Sequence, residues 1–242
     1  MPDFAVRADA DEMMDDFSIT DARLAQALED LRGVNRWLGG YAATRAVLRP
    51  LVRRRRTLRL LDLGTGIADY PEHLVRWADR HGTRLDVVAI DANPVTVEHA
   101  RTALDRRLPV DLRGRIHVDV GDALDLPFGD GAFDVVHAAL FMHHLGADQA
   151  VRLLRAMQRI GRYGCVVNDL HRHPLAYYGI QAVGHLLPTS EMFQHDAPLS
   201  VLRGFQRAEL EQFATEADLP RCRLRWHWAF RWTLATLPSS GF

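Results

Sequence analysis

The chain has 242 residues, of which 48% are apolar, and its formal net charge is −1. Such a length and apolar content suffice for a full buried core, and they exclude a disordered chain, a collagen-like repeat and a small disulfide scaffold. The balanced charge gives no sign of a nucleic-acid or anionic-membrane partner. All 30 basic residues are arginine, which excludes Schiff-base lysine chemistry and a P-loop.

Hydropathy and cysteine usage both bear on where the protein is located. No apolar run approaches the roughly 20 residues of a membrane span. Residues 1–17 carry six acids and one arginine, which is untypical of a secretory signal, and we predict a flexible arm there. Cys165 and Cys222 lie far apart and have no metal-site spacing. We therefore expect a reducing, cytoplasmic location.

Two helices are predicted after the arm. Ser18 or Thr20 is the expected N-cap of the first helix, and the glycine pair 39–40 ends it. The second helix covers about residues 41–52. The arginine run 53–56 is interpreted as a solvated edge that leads into a strand, because the net charge is near zero.

From residue 58 onward, short apolar runs alternate with helical stretches. Strands are predicted at 58–63, 85–90, 115–120, 133–140 and 165–169, and helices at 71–81, 94–107 and 147–160. Because these runs are continuously apolar, they predict a parallel sheet that is covered by helices on both faces. The remaining chain predicts a helix at 174–187, a loop at 188–204, a helix at 207–218 and two closing strands within 221–237.

Polar and glycine residues follow three successive strands. Asp62-Leu63-Gly64-Thr65-Gly66 ends the first strand, and its glycines let the chain turn tightly and let a ligand approach the main chain. Asp91 ends the second strand, where a carboxylate can accept from two ribose hydroxyls, and Asp122 follows the third. A plain turn or a helix cap stays an alternative for each feature alone. Together they predict a ligand site at the carboxyl edge of the sheet.

Residues 58–170 resemble a class I S-adenosylmethionine-dependent methyltransferase of the small-molecule, UbiE-like branch. The resemblance rests on the 62–66 turn, on Asp91, on Asp122-Ala123 and on the fourth-strand motif from Phe133 to His143-His144. It implies an α/β, Rossmann-like sheet of seven mostly parallel strands with one antiparallel strand, helices on both faces, and an N-terminal helical lid over 18–56. It also implies S-adenosyl-L-methionine as cofactor, with S-adenosyl-L-homocysteine as product. The implied cofactor contacts are Asp62, Gly64, Thr65, Gly66, Asp91, Ala92, Asp122, Ala123 and Ala138.

The resemblance further implies a methyltransferase core over 57–242, with a substrate-covering insertion at about 171–205. His171 and His173 follow the fifth strand, where acceptors dock in the family, and either is a candidate base for an acceptor hydroxyl. A structural role stays open for both, and a structural or cofactor-shelf role for His143. The predicted acceptor contacts are Tyr41, His143, Tyr177, Met192 and His195.

The chemistry predicted from these residues is methyl transfer to a small organic acceptor without a metal. Catechol-type enzymes hold a metal with an acid after the fourth strand and an Asp-Asn pair after the fifth, and here only Asn168-Asp169 is present, in reversed order. The preferred acceptor is a phenolic or quinone-like, polyketide-type hydroxyl of secondary metabolism. C-methylation of a quinone ring and a non-catalytic cofactor-binding scaffold are the alternatives. We expect no nucleic-acid partner, no membrane span, and a monomer or homodimer.

Overall fold

The computed structural model describes residues 2–19, 22–219 and 221–238. Its strands are β1 (Thr57–Leu63), β2 (Arg84–Asp91), β3 (Ile116–Val120), β4 (Val135–Ala139), β5 (Cys165–Leu170), β6 (Arg223–His227) and β7 (Arg231–Ala235). They form a seven-stranded sheet in the order β3-β2-β1-β4-β5-β7-β6. Only β7, among these strands, runs antiparallel to its neighbours. The predicted fold class is confirmed.

Helices occupy most of the connections between the strands. They are α1 (Ala22–Trp37), α2 (Gly40–Arg54), α3 (Asp69–Asp79), α4 (Pro94–Arg107), α5 (Val110–Arg113), α6 (Ala147–Ile160), α7 (Pro174–Leu186), α8 (Glu191–Arg203) and α9 (Arg207–Glu216). Short 3₁₀ turns cover Met13–Asp15 and Met142–His144. Within the described chain, no helix is both long and apolar enough to cross a bilayer.

The core has two halves, one on each face of the sheet. Leu58 and Leu60 of β1 pack in a cluster with residues of α2, α3 and α4. Leu61 and Leu63 pack in a second cluster with residues of α6 and α9. From Leu60 to Leu63 every residue of β1 is buried, as expected for a central strand that is covered on both faces.

The predicted loop at 188–204 is wrong, because α8 occupies most of it. Ser190 caps this helix, and its Oγ accepts a hydrogen bond from the Phe193 backbone N–H at 3.2 Å. Phe193, Ala197 and Val201 recur at helical spacing and are buried. Two prolines suggested a loop, yet Pro198 is accommodated inside the helix, where the buried face outweighs the missing backbone donor.

The acidic N-terminal segment, predicted as a flexible arm, lies against the domain. Glu12 is only 3% exposed. The Asp196 carboxylate of α8 accepts hydrogen bonds from the backbone N–H groups of Met13 and Met14 at 2.8 and 3.0 Å. Acidic composition suggested solvation, but here buried partners compensate the charge and the backbone polarity of the segment. Thr20, a predicted helix cap, lies outside the described residues.

The predicted helical lid divides into two helices with different positions. Leu24 and Leu28 of α1 pack in a cluster with Ile67 and Met192, next to the glycine turn. By contrast, Leu48 of α2 packs with the strand and helix residues of the first core cluster. Thus α1 covers the carboxyl edge of the sheet, whereas α2 packs on a sheet face and does not act as a lid. The apolar face of α2 explains this position, because it requires a large apolar partner.

Candidate active site

A cavity of about 310 Å³ lies at the carboxyl edge of the sheet. Its lining includes these residues predicted to contact the cofactor: Asp62, Gly64, Thr65, Gly66, Asp91, Ala92, Asp122 and Ala123. Ala138 is the exception, because it is fully buried within the sheet and Ala139 lines the cavity instead. Successive residues of a strand point to opposite faces, so a shift of one position in β4 decides which alanine is available.

The glycine turn after β1 is fixed by a short hydrogen-bond network. Thr65 Oγ1 donates to Asp62 Oδ2 at 2.6 Å, and Asp62 Oδ1 lies 2.6 Å from His137 Nδ1. Gly64 has a φ of +63°, and a Cβ atom there would lie 2.8 Å from Phe141 Cβ and closer still to its ring. Both the backbone angle and the contact with Phe141 therefore require glycine at this position.

Two carboxylates face the cavity from the ends of β2 and β3. Asp91 Oδ2 accepts from the Gly66 backbone N–H at 2.9 Å, and Oδ1 accepts from that of Asn93 at 3.0 Å. Burial raises the pKa of Asp91 above its usual value. Asp122 Oδ1 accepts from the Leu124 backbone N–H at 2.8 Å. Each carboxylate is thus held in place while its remaining lone pairs can serve a ligand hydroxyl or amine.

The other end of the cavity contains polar residues that the sequence analysis missed. Asn35 of α1 donates through Nδ2 to Asp69 Oδ2 at 3.2 Å, and Arg32 lies one helical turn earlier on α1. Burial raises the pKa of Asp69. Tyr41, predicted on the acceptor side, is absent from the lining of both cavities described here, because its hydroxyl donates to Asp69 Oδ2 at 2.8 Å. Polar residues on the apolar face of an amphipathic helix were the available signal for Arg32 and Asn35.

The residues of this first cavity fit S-adenosylmethionine. Asp91 and Asp122 offer acceptors for the ribose hydroxyls and for the exocyclic amine of adenine. Arg32 and Asp69 also line the cavity, where Arg32 can pair with the carboxylate of the amino-acid moiety and Asp69 can accept from its ammonium group. Gly64 and Gly66 keep the main chain open for close approach. The donor and acceptor set therefore matches the two polar ends of this cofactor.

A second cavity of about 400 Å³ adjoins the first. Residues that line both are Met14, Leu31, Asn35, Leu140 and His144. Its apolar walls come from α7, α8 and the turn between β6 and β7, and include Leu175, Ile180, Val183, Phe193, Ala197, Trp228 and Phe230. Leu140, at the junction, has a φ of +51°. Such a conformation is uncommon for a leucine and is typical of a functional turn.

Of the predicted acceptor contacts, His143 lines the second cavity and the others do not. Met192 is buried against Leu24 and Leu28 of α1. His195 is half-exposed, and its Nδ1 lies 2.8 Å from Asp196 Oδ1. Tyr177, Met192 and His195 line neither cavity, and their contact with an acceptor stays a prediction. Met192 and His195 were placed in a loop, whereas α8 fixes them on a helix.

The two candidate bases, His171 and His173, line neither cavity. His171 Nδ1 accepts from Trp226 Nε1–H at 3.2 Å, and burial lowers its pKa. His173 caps α7 by accepting from the Leu175 backbone N–H at 3.1 Å, and its ring stacks on Phe230. Neither ring lines a cavity in this arrangement, so the base role stays a prediction without a contact that supports it.

The polar end of the second cavity is built from residues of three separate segments. His143 Nδ1 lies 2.7 Å from Asp169 Oδ1, and His143 Nε2 lies 3.6 Å from Glu12 Oε1. Burial favours the neutral ring, but Asp169 and then Glu12 outweigh it and raise the pKa of His143 to about 9. Burial also acts to raise the pKa of Glu12, and the contact with His143 lowers it below its usual value. The polar end of the second cavity thus contains the charged pair of Glu12 and His143.

Residues 60–164 match the family described as "Methyltransferase domain". The chain is 33% identical over 126 residues to a demethylmenaquinone methyltransferase of Roseiflexus sp. (strain RS-1), covering 50% of this chain and 47% of that protein. It is 32% identical over 107 residues to a 27-O-demethylrifamycin SV methyltransferase of Amycolatopsis mediterranei (strain S699), covering 42% of this chain and 36% of that protein. The chain thus spans less than half the length of these curated relatives.

The fold is also that of solved methyltransferases. A SAM-dependent methyltransferase from Aquifex aeolicus superposes with a TM-score of 0.59 at 15% sequence identity, covering 86% of this chain and 95% of that chain. At this identity the similarity concerns the fold alone. The family match covers the strands β1 to β4 and the residues that line the first cavity between Asp62 and Leu145.

Proposed function

We propose that the chain contains a class I S-adenosylmethionine-dependent methyltransferase domain that methylates a small organic acceptor bound in the second cavity. The observation that carries this proposal is the apolar cavity of about 400 Å³ that shares five lining residues with the cofactor cavity. An apolar pocket with a few polar groups at one end is typical of sites for flat organic molecules.

The acceptor we propose is a phenolic or quinone-like, polyketide-type hydroxyl. The apolar walls from α7 and α8 suit such a ring, and the polar end with Glu12 and His143 suits its hydroxyl. The names of the two relatives, which concern demethylmenaquinone and 27-O-demethylrifamycin SV, agree with this class of molecule. Because the first name leaves methylation of a quinone ring as a second candidate, mass spectrometry and NMR of the product must assign the methylated atom.

The chain's own residues have limited chemistry to perform. The bound cofactor supplies a methyl group that its sulfonium already activates, so the protein contributes alignment and exclusion of water. The Glu12 carboxylate can accept a hydrogen bond from the acceptor hydroxyl. The His143 imidazolium beside it stabilises negative charge on that oxygen, which lowers the pKa of a phenol from its usual value of about 10. Leu140 and Leu31 exclude water at the junction of the two cavities.

Binding of S-adenosylhomocysteine to the purified protein, measured by calorimetry, tests the cofactor half of the proposal. We expect Asp91→Ala to weaken this binding roughly 10- to 150-fold, since charge-assisted hydrogen bonds contribute about 1.5–3 kcal/mol. Asp86→Ala is the matched control, because Asp86 lies on the same strand and pairs with Arg84 outside the cavity. Equal affinities of the two variants would contradict the assignment of Asp91.

A screen of phenols and quinones with labelled cofactor tests the acceptor half. We expect His171→Ala to keep initial rates within about twofold of the wild-type protein on an acceptor found in that screen, because His171 does not line the cavity. A loss of turnover with unchanged cofactor affinity would restore the base role that the sequence predicted. Cofactor binding without turnover on any acceptor would favour the scaffold alternative.

Three finer expectations accompany this proposal as predictions. They are a cytoplasmic location, a role in secondary metabolism, and a monomeric or homodimeric state without nucleic-acid partners. Sedimentation of the purified protein with and without S-adenosylhomocysteine measures the oligomeric state directly.

A further inference from the structure

Three side chains of ligand type converge at the polar end of the second cavity. Glu12, His143 and His144 each place one ligand atom within 4.8 Å of the other two. Glu12 Oε1 lies 3.6 Å from His143 Nε2, and Glu12 Oε2 lies 4.0 Å from His144 Nε2. Ligand atoms of a tetrahedral zinc ion lie roughly 3.3–3.6 Å apart. The three atoms would therefore have to approach one another by at most about 1.5 Å to share one ion.

A carboxylate oxygen lies beside Nδ1 of each histidine. Asp169 Oδ1 lies 2.7 Å from His143 Nδ1, and Asp15 Oδ1 lies 2.8 Å from His144 Nδ1. Metal-binding histidines almost always place their other ring nitrogen against a carboxylate, a carbonyl oxygen or a water molecule. Nδ1 of His143 is hydrogen-bonded to Asp169, whereas Asp15 is an ion-pair neighbour of His144 Nδ1 without hydrogen-bond geometry. Nε2 of each ring is the atom that lies within 4.0 Å of Glu12.

The third ligand is held as firmly as the two histidines. Ser200 Oγ donates to Glu12 Oε1 at 2.8 Å, and this hydrogen bond orients the carboxylate. The backbone that follows Glu12 is fixed by Asp196, which accepts from the N–H groups of Met13 and Met14. A buried carboxylate with a fixed orientation is the arrangement of a preformed ligand rather than that of a solvated side chain.

The charges around the cluster favour a cation. The carboxylates of Glu12, Asp15 and Asp169 touch the two histidines, whereas the guanidinium groups of Arg7 and Arg203 donate to the backbone oxygens of the histidine turn. A divalent ion held by neutral imidazoles would replace the proton that His143 carries in the metal-free protein, so positive charge would still face these buried carboxylates.

We propose that Glu12, His143 and His144 bind a divalent transition metal with an open coordination position that faces the apolar cavity. Two imidazoles and one carboxylate suit Zn²⁺ or Fe²⁺, whereas Mg²⁺ and Ca²⁺ prefer oxygen ligands throughout. All three residues line the second cavity, and His144 also lines the first. The open position therefore lies on the acceptor side, next to the cofactor.

The role of the metal rests on the proposed function. An acceptor hydroxyl bound at the open position would have a lowered pKa, as a water molecule does on Zn²⁺, and would release its proton to solvent water before its oxygen takes the methyl group of the cofactor. This proposal replaces the metal independence that the sequence predicted. The proposed metal ligands come from the N-terminal segment and from the turn after β4. They differ from those of catechol-type enzymes, which are an acid after the fourth strand and an Asp-Asn pair after the fifth.

Calorimetric titration of EDTA-treated, full-length protein with Zn²⁺ tests the site without reference to activity. We expect one Zn²⁺ per chain, and a loss of affinity of about 100-fold in Glu12→Gln and in His144→Gln, since changes behind the ligands alone cost about 10- to 100-fold. Asp11→Asn is the matched control, because Asp11 is an exposed neighbour of Glu12 and its substitution removes the same charge. We expect this control to bind Zn²⁺ within twofold of the wild-type protein.

The absence of one-to-one binding, or equal affinity in Glu12→Gln and the wild-type protein, would overturn the metal site. Circular dichroism and S-adenosylhomocysteine binding show that Glu12→Gln is folded, because Glu12 does not line the cofactor cavity. Failure of the wild-type protein to bind S-adenosylhomocysteine would refute only the proposed function and would leave the metal site standing. The two proposals can therefore fail separately.

The open coordination position needs its own measurement. Co²⁺ in place of Zn²⁺ gives a visible absorption spectrum that depends on its ligands. We expect the addition of catechol, as a phenolic probe, to shift the spectrum of the Co²⁺-loaded protein. An unchanged spectrum at saturating catechol would show a closed site and would overturn the role of the metal in holding the acceptor.

Discussion

Replacing Gly64 by alanine is expected to lower the free energy of unfolding by about 2–5 kcal/mol and to abolish measurable cofactor binding. The backbone at Gly64 has a φ of +63°, which costs an L-residue about 1–2 kcal/mol. The new Cβ would also overlap the ring of Phe141, and such overpacking costs about 1–3 kcal/mol more. Because Phe141 lines the first cavity, its displacement changes the shape of the cofactor site as well.

Urea unfolding in the absence of cofactor and calorimetry with S-adenosylhomocysteine measure the two parts of this prediction. Gly39→Ala is the matched control, since Gly39 has a φ of +74° but no atom within 4 Å of its added Cβ. It should lose only the backbone contribution of about 1–2 kcal/mol and retain cofactor affinity. The steric argument fails if Gly64→Ala is no less stable than Gly39→Ala.

Arg172→Met is expected to destabilise the protein by about 3–5 kcal/mol. Arg172 is 0% exposed, and its guanidinium donates to the backbone oxygens of Gly204, Phe4 and Ala5 and to Glu209 Oε1. The substitution removes all these donors at once and leaves buried acceptors without partners, which costs more than the loss of any single hydrogen bond.

Thermal and urea unfolding of Arg172→Met test this prediction, with Arg207→Met as the control variant. Arg207 is exposed on the first turn of α9 and pairs with Glu211 across one helical turn at 2.8 Å. Such a surface pair contributes a few tenths of a kcal/mol, so this control should remain close to the wild-type protein. Equal stability of the two variants would show that the buried guanidinium of Arg172 does not stabilise the fold.

The position of Arg172 also bears on the two predicted bases, His171 and His173. The run His171-Arg172-His173 was interpreted as a functional segment at the end of the fifth strand. In the structure, Arg172 points inward and joins the N-terminal segment to α9, while the two rings pack against Trp226 and Phe230. A run of basic side chains gives no information about which of them a fold buries.

The cofactor half of the site was accessible from sequence because its motifs are local. Asp62 and Asp91 lie in the last residues of β1 and β2, Asp122 follows β3, and the parallel topology brings the three strand ends to one edge. Of the predicted cofactor contacts only Ala138 does not line the cavity, and its neighbour Ala139, one position along β4, lines it instead. A strand alternates faces at every residue, so the sequence located the strand end without fixing which alanine faces the cavity.

The acceptor half depends on contacts between distant segments. Glu12, His143 and Asp169 meet only after the acidic segment packs on α8 and on the turn after β4. The sequence by itself determined the fold class, the order of the sheet-forming elements and the cofactor edge, because hydropathy period and glycine turns are properties of neighbouring residues. Only the tertiary structure decided which polar residues end the second cavity, because burial and pairing across more than a hundred positions leave no local pattern.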